Sequence, residues 1–121
     1  MDNTMSADQF QLYDLIIVVE EIQGNCTCAM RVGDCFYLRG GKLSLPTNAD
    51  FCLYALQSTL PLLPAKQRLN HPADWMETDS RAVCPDPACR LIMRIDRTGL
   101  RTLRHDDVSP IPWASVHDGG E

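Results

Sequence analysis

Five consecutive apolar residues, Leu15-Ile16-Ile17-Val18-Val19, restrict the fold of this chain more than any other feature. They sit in the run Y-D-L-I-I-V-V-E-E-I, residues 13–22, whose β-branched side chains suit extended backbone. Apolar side chains at successive positions point to both faces of a strand, so the run predicts a central strand covered on both sides. Shorter strand-like segments follow at residues 35–38, 43–45, 81–84, 91–95 and 100–104. Arg39-Gly40-Gly41-Lys42 and Thr98-Gly99 read as the turns of hairpins.

A single helix is expected over residues 49–60. Thr47 or Asn48 supplies the cap and Asp50 sits at the positive end. Cys52, Ala55, Leu56, Thr59 and Leu63 share one face, and Pro61 and Pro64 stop the helix near Leu60, with a further turn or two possible to Leu69. The fold class is therefore α+β, a small, mostly antiparallel sheet packed against one principal helix. Residues 1–11 are expected to fray, residues 12–104 to form one domain, and residues 105–121 to be an irregular tail anchored by Ile111 and Trp113. Residues 70–80 read as a loop pinned by Trp75 and Met76.

The chain has 121 residues, enough for one self-sufficient core, a net charge of −5 and a pI near 5.0. An acidic surface argues against a nucleic-acid partner, because phosphate binding needs a basic face. Arg94, Arg97, Arg101 and Arg104 are interleaved with Asp96, Asp106 and Asp107, which reads as a solvated face paired within itself. No apolar run is long enough to cross a bilayer, and residues 1–11 lack the basic region of a signal peptide, so the cytoplasm is the expected compartment. There the six cysteines are expected as thiols, metal ligands or reactive groups rather than structural disulfides.

Sulfur is concentrated at Gly24-Asn25-Cys26-Thr27-Cys28-Ala29-Met30-Arg31-Val32-Gly33-Asp34. In extended backbone Cys26, Cys28 and Met30 all point to one side. Cys84-Pro85-Asp86-Pro87-Ala88-Cys89 is a rigid turn that faces this stretch in the expected fold. Cys26, Cys28, Cys84 and Cys89, with Met30, make a soft donor set for zinc, Cu(I) or an iron–sulfur cluster. Their spacings, C-x-C and C-x-x-x-x-C, depart from the C-x-x-C of a zinc knuckle, and buried cysteines also fill space under turns. A second reading makes one thiol reactive, with Cys26 or Cys84 near Cys52 at the helix start and Asp34 and Asp86 opposing its ionisation. Asp34 and Asp86 are acid–base candidates and, equally, default turn residues; Tyr54 and Trp75 are core or lid aromatics before they are ligand contacts. His71, His105 and His117 read as exposed side chains.

The segments Cys26 to Asp34, Cys52-Leu53-Tyr54-Ala55-Leu56 and Cys84-Pro85-Asp86-Pro87 resemble a family of small uncharacterised prokaryotic proteins with the motifs C-x-x-G-H-x-V-G-D, C-L-Y-A-L and C-P-D-P. The resemblance spans residues 13–97. Cys26, Val32, Gly33, Asp34, Cys52, Tyr54 and Cys84 fall on the pattern, whereas Ala29 stands in place of its Gly and Met30 in place of its His. The resemblance implies a fold and a set of positions, and no activity. The sequence thus suggests a small cytoplasmic accessory or binding protein with a cysteine-lined, metal-binding site, serving a larger protein. The alternatives are a thiol-dependent enzyme or redox protein, and a purely structural interaction module.

Overall fold

A computed structural model describes residues 6–114. Strand β1 (Gln9–Ile22) is followed by β2 (Cys35–Arg39), β3 (Lys42–Ser44), α1 (Leu53–Thr59), a 3-10 turn (Leu60–Leu62), α2 (Leu63–Lys66), α3 (Trp75–Thr78), β4 (Arg81–Val83), β5 (Leu91–Arg104) and α4 (His105–Val108). The strands form one antiparallel sheet in the order β3-β2-β1-β5-β4. The architecture is α+β, and β1 is central as its apolar run requires.

Its two faces are not equally covered. Leu15, Ile17 and Val19 are fully buried, while Ile16 and Val18 are half-buried. One face meets the core of Phe36, Ala55, Leu63, Leu91, Met93 and Ile95. The other carries Glu20 between Arg81 and Arg94. The run reads as doubly buried because half-buried Ile and Val cannot be told from buried ones by sequence. Phe36 and Phe51 meet edge to face at 5.0 Å, a contact worth about 0.5–1.5 kcal/mol beyond its area.

Thr98-Gly99 is not a turn. β5 runs unbroken for 14 residues against β1, with Gln9 opposite Arg104 and Ile22 opposite Leu91. Asp14 pairs with Gly99 and Leu15 with Arg97, so Thr98 is the extra residue of a bulge, which is a second common use of Gly near a strand break. β1 therefore begins at Gln9, and residues 9–11 are ladder-bonded rather than frayed; residues 1–5 lie outside the described residues.

The single helix over 49–60 is replaced by short segments. Asn48 has φ +60° and caps nothing; α1 starts at Leu53, with Cys52 at the N-cap. Pro61 and Pro64 redirect the chain instead of stopping it, because each stands in the first turn of its segment, where no backbone N–H is needed. Ala55, Thr59 and Leu63 are buried on the predicted face. Residues 70–80 include α3 rather than being all loop; Met76 is buried and Trp75 exposed, so Met76 is the apolar pin, with Glu77 tied to Arg97. At the C-terminal side α4 replaces irregular chain; the Trp113 backbone N–H donates to Asp106 Oδ1, and Ile111 is exposed. Residues 115–121, including His117, lie outside the described residues. No helix among the described residues is long and apolar enough to cross a membrane.

The four arginines of β5 are paired, mostly with acids far away in sequence. Arg94 meets Asp96 and Glu20, Arg97 meets Glu77, Arg101 meets Asp14 and Arg104 meets Asp8.

Candidate functional site

The turn after β1 is clamped to the turn before β5. Gln23, Gly24 and Asn25 donate backbone N–H bonds to the carbonyls of Arg90, Cys89 and Ala88 at 2.9–3.1 Å. The approach is so close that a Cβ on Gly24 would lie 2.0 Å from the Ala88 oxygen. Gly24 is thus required by packing rather than by its own dihedral angles.

Residues 26–34 are not extended. Ala29 N–H reaches the Cys26 carbonyl at 3.3 Å, and Ala29 itself has φ +59°, a conformation that disfavours any Cβ. The reversal breaks the expected alternation. Cys28 is exposed, Cys26 is half-buried and Met30 turns into the core at 7% exposure. Met30 therefore leaves the predicted sulfur set. Asp34, the acid–base candidate, takes its turn role: its Oδ2 accepts the Arg31 N–H at 2.9 Å, and its carbonyl accepts the Val19 N–H, so it closes the turn and ties it to β1. Gly33, at φ +98°, completes that turn.

The segment 84–90 is organised by Asp86. Its Oδ1 accepts the Ala88 N–H at 3.0 Å, and its carbonyl accepts the N–H groups of Cys89 and Arg90. This curl carries Cys84 and Cys89 inward, both buried.

These turns and the start of α1 enclose a cavity of about 370 Å³. Cys26, Cys28, Cys52, Cys84 and Cys89 line it, five of the six cysteines. Tyr54 and Asp86, also singled out by the sequence, stand on its wall, and Thr27, Ala55, Pro85 and Leu91, which it did not single out, complete it. Their signal was present only in their positions beside the cysteines. Cys35, the sixth cysteine, starts β2 outside this wall.

Within the cavity the thiols lie close together: Cys28 is beside Cys52, Cys26 is beside Cys89, and Cys84 is near both Cys28 and Cys89. Among the described residues no group of three or more Cys, His, Asp or Glu is arranged to hold a metal ion. Cys26, Cys28, Cys84 and Cys89 all line the cavity, with Cys52 beside Cys28. Cys52 packs against the core, as its place on an apolar helix face suggests, and is half-buried where it lines the cavity.

The pairs differ electrostatically. Burial pushes the Cys52 thiol up, but the Ala55 N–H, the Cys28 thiol and the Tyr54 N–H outweigh it and hold it below the ordinary thiol value. Cys28 moves the other way, chiefly because its proton is shared with Cys52. Cys89 is pushed up to about 12 by burial first and by its bond to Cys26 second. The arrangement thus offers one thiol, Cys52, whose anion is favoured, an exposed neighbour, Cys28, whose proton is held, and a buried thiol, Cys89, kept protonated.

Neither described histidine lines this cavity. His71 Nδ1 accepts the Ala73 N–H in its own turn, and His105 bonds the Ile111 carbonyl and stacks edge-on against Trp113. A second cleft of about 500 Å³ lies around Lys66, Arg94 and Arg97. Sequence reading did not find it, since Lys66 and Glu77 carry no motif.

No family model, no curated protein and no solved structure matches this chain.

Proposed function

We propose that this protein is a small thiol-dependent redox protein whose working pair is Cys28 and Cys52. The observation that carries the reading is the contact of these two thiols in an open, cysteine-lined cavity, one exposed and the other favoured as thiolate. A thiolate beside an accessible protonated thiol has what a dithiol needs. Cys52 attacks, and Cys28 resolves the mixed disulfide that forms. Tyr54 and Pro85 stand on the same cavity wall, and Cys84 and Cys89 are buried within it.

The motif resemblance supports the choice of site, because its three segments are the ones that surround the cavity. The reading puts the chain in the reducing cytoplasm, where the dithiol is regenerated, in the service of a larger protein partner.

Alkylation of each cysteine, followed by peptide mass analysis, tests the proposal. Cys52 is expected to react fastest at neutral pH, Cys28 to speed up when Cys52 is replaced by Ser, and Cys84 and Cys89 to remain unmodified until the chain unfolds. Uniform rates no faster than those of an ordinary thiol would overturn it. A stoichiometric amount of zinc, copper or iron in anaerobically purified protein would favour the metal-binding reading instead.

A further inference from the structure

Among the described residues, Asp86 is the one carboxylate on the wall of the cysteine cavity, and no lysine, arginine or histidine lines it. Asp86 is exposed, and the Ala88 N–H holds its Oδ1, so its carboxylate is fixed at the rim rather than free to swing. The rest of the wall is sulfur, Thr27, Tyr54 and apolar carbon. The enclosed space, about 370 Å³, lies at the small end of ligand pockets and suits a small molecule rather than a folded polypeptide.

We propose that the reactant of the Cys28–Cys52 pair is a small disulfide that is neutral or carries an amine, and that Asp86 sets this preference by receiving the cationic end and repelling carboxylates. The inference rests on the dithiol reading above. The Cys52 thiolate attacks one sulfur of R–S–S–R, whose S–S bond breaks to release one R–S⁻. Cys28 then gives up its proton to that thiolate and attacks Cys52 Sγ, releasing the second R–S⁻. The protein dithiol is oxidised by two electrons to the Cys28–Cys52 disulfide, and the small disulfide is reduced to two thiols, one of them leaving as thiolate.

A fixed carboxylate at the mouth of a low-dielectric cavity acts on both the encounter and the bound state. The chain's overall charge of −5 adds a diffuse bias of the same sign, so the local contribution needs a control. Asp79, which lines the Lys66 cleft and pairs with Arg81, serves as that control.

The test follows oxidation of the reduced full chain by cystamine, by 2-hydroxyethyl disulfide and by glutathione disulfide at low salt. Cystamine is expected to react fastest and glutathione disulfide slowest. The ratio between those two is expected to fall by about tenfold in Asp86→Asn, further in Asp86→Lys, and not in Asp79→Asn, and to flatten as salt rises. Asn at position 86 keeps an oxygen for the Ala88 N–H, so the turn survives the substitution. An unchanged ratio in Asp86→Asn, or glutathione disulfide reacting as fast as cystamine, overturns the role of Asp86. In that case 2-hydroxyethyl disulfide still oxidises the pair and the dithiol reading stands. Failure of all three disulfides to oxidise Cys28 and Cys52 overturns both.

Discussion

The cleft around Lys66 and the cavity around Cys52 show two ways to satisfy polar groups. In the first, charges close on one another. Arg97 grips both carboxylate oxygens of Glu77 at 2.7 Å, donates to the carbonyls of Lys66 and Arg68, and lies over the Tyr13 ring at 4.3 Å. Lys66, almost fully buried, donates to the Met76 carbonyl, which also accepts from Ser80. Lys66, Glu77 and Arg97 are each held by a partner from another element, and the network fastens α2 and α3 to β5. In the second region the thiols lean only on each other and on backbone N–H groups, and one of them is exposed. A saturated network of charges stabilises a fold; weakly held thiols at an open cavity are available for chemistry.

Breaking the charged region gives the largest expected effect. Arg97→Ala removes a half-buried guanidinium and leaves Glu77 without its main partner, and about 2–4 kcal/mol of stability is expected to go, measured by urea unfolding. Thiol reactivity at Cys52 should be unaffected, which is the sharper half of the comparison.

The acid response belongs to the same region. Hydrogen bonds from Arg97, then from the Asn70 N–H, hold the Glu77 carboxyl down at about 2, below its ordinary 4.5. A depressed folded-state value contributes stability that is fully present above pH 4.5 and is lost as pH falls toward 2. The unfolding midpoint is expected to drop across that window, and less steeply in Glu77→Gln.

On the cavity side the critical contact is backbone. Gly24→Ala places a Cβ against the Ala88 carbonyl, which cannot retreat without opening the clamp between the two turns. Overpacking of this kind costs about 1–3 kcal/mol, and faster alkylation of Cys89 should accompany it as the turns separate. A smaller effect of opposite sign is expected at the next turn. Ala29→Gly relieves a left-handed alanine and should raise stability by about 0.5–1 kcal/mol in the same unfolding measurement.

Ala29 also shows how far the sequence could be read. It stands where the resembled pattern has Gly, and a strict strand reading of residues 26–30 passed over the left-handed turn that such a Gly would permit. That one conformation sends Met30 into the core and Cys28 outward, a separation that side-chain periodicity cannot foresee. The central strand was legible because β-branched residues in sequence leave little else to form. The unbroken β5 was not, because Thr98-Gly99 suits a bulge as well as a turn, and only its pairing with Asp14 and Leu15 decides between them. Cys26, Cys28, Cys52, Cys84, Cys89, Tyr54 and Asp86 were legible as site candidates from their residue types and motif positions. Their pairing was not, since it depends on the reversal at residues 26–29 that turns Cys28 toward Cys52. The Arg97–Glu77 network left no local trace, because its partners lie 20 residues apart and carry no pattern.

The central claim is that Cys28 and Cys52 act as one dithiol while Cys26 and Cys89 do not. Mass mapping of disulfides after limiting oxidation of the reduced, folded chain with 2-hydroxyethyl disulfide measures this directly. A single Cys28–Cys52 linkage, absent when Cys52 is replaced by Ser, is the predicted result. Linkage of Cys26 to Cys89 with Cys28 and Cys52 left free, or a scrambled mixture of the five cavity cysteines, would contradict it.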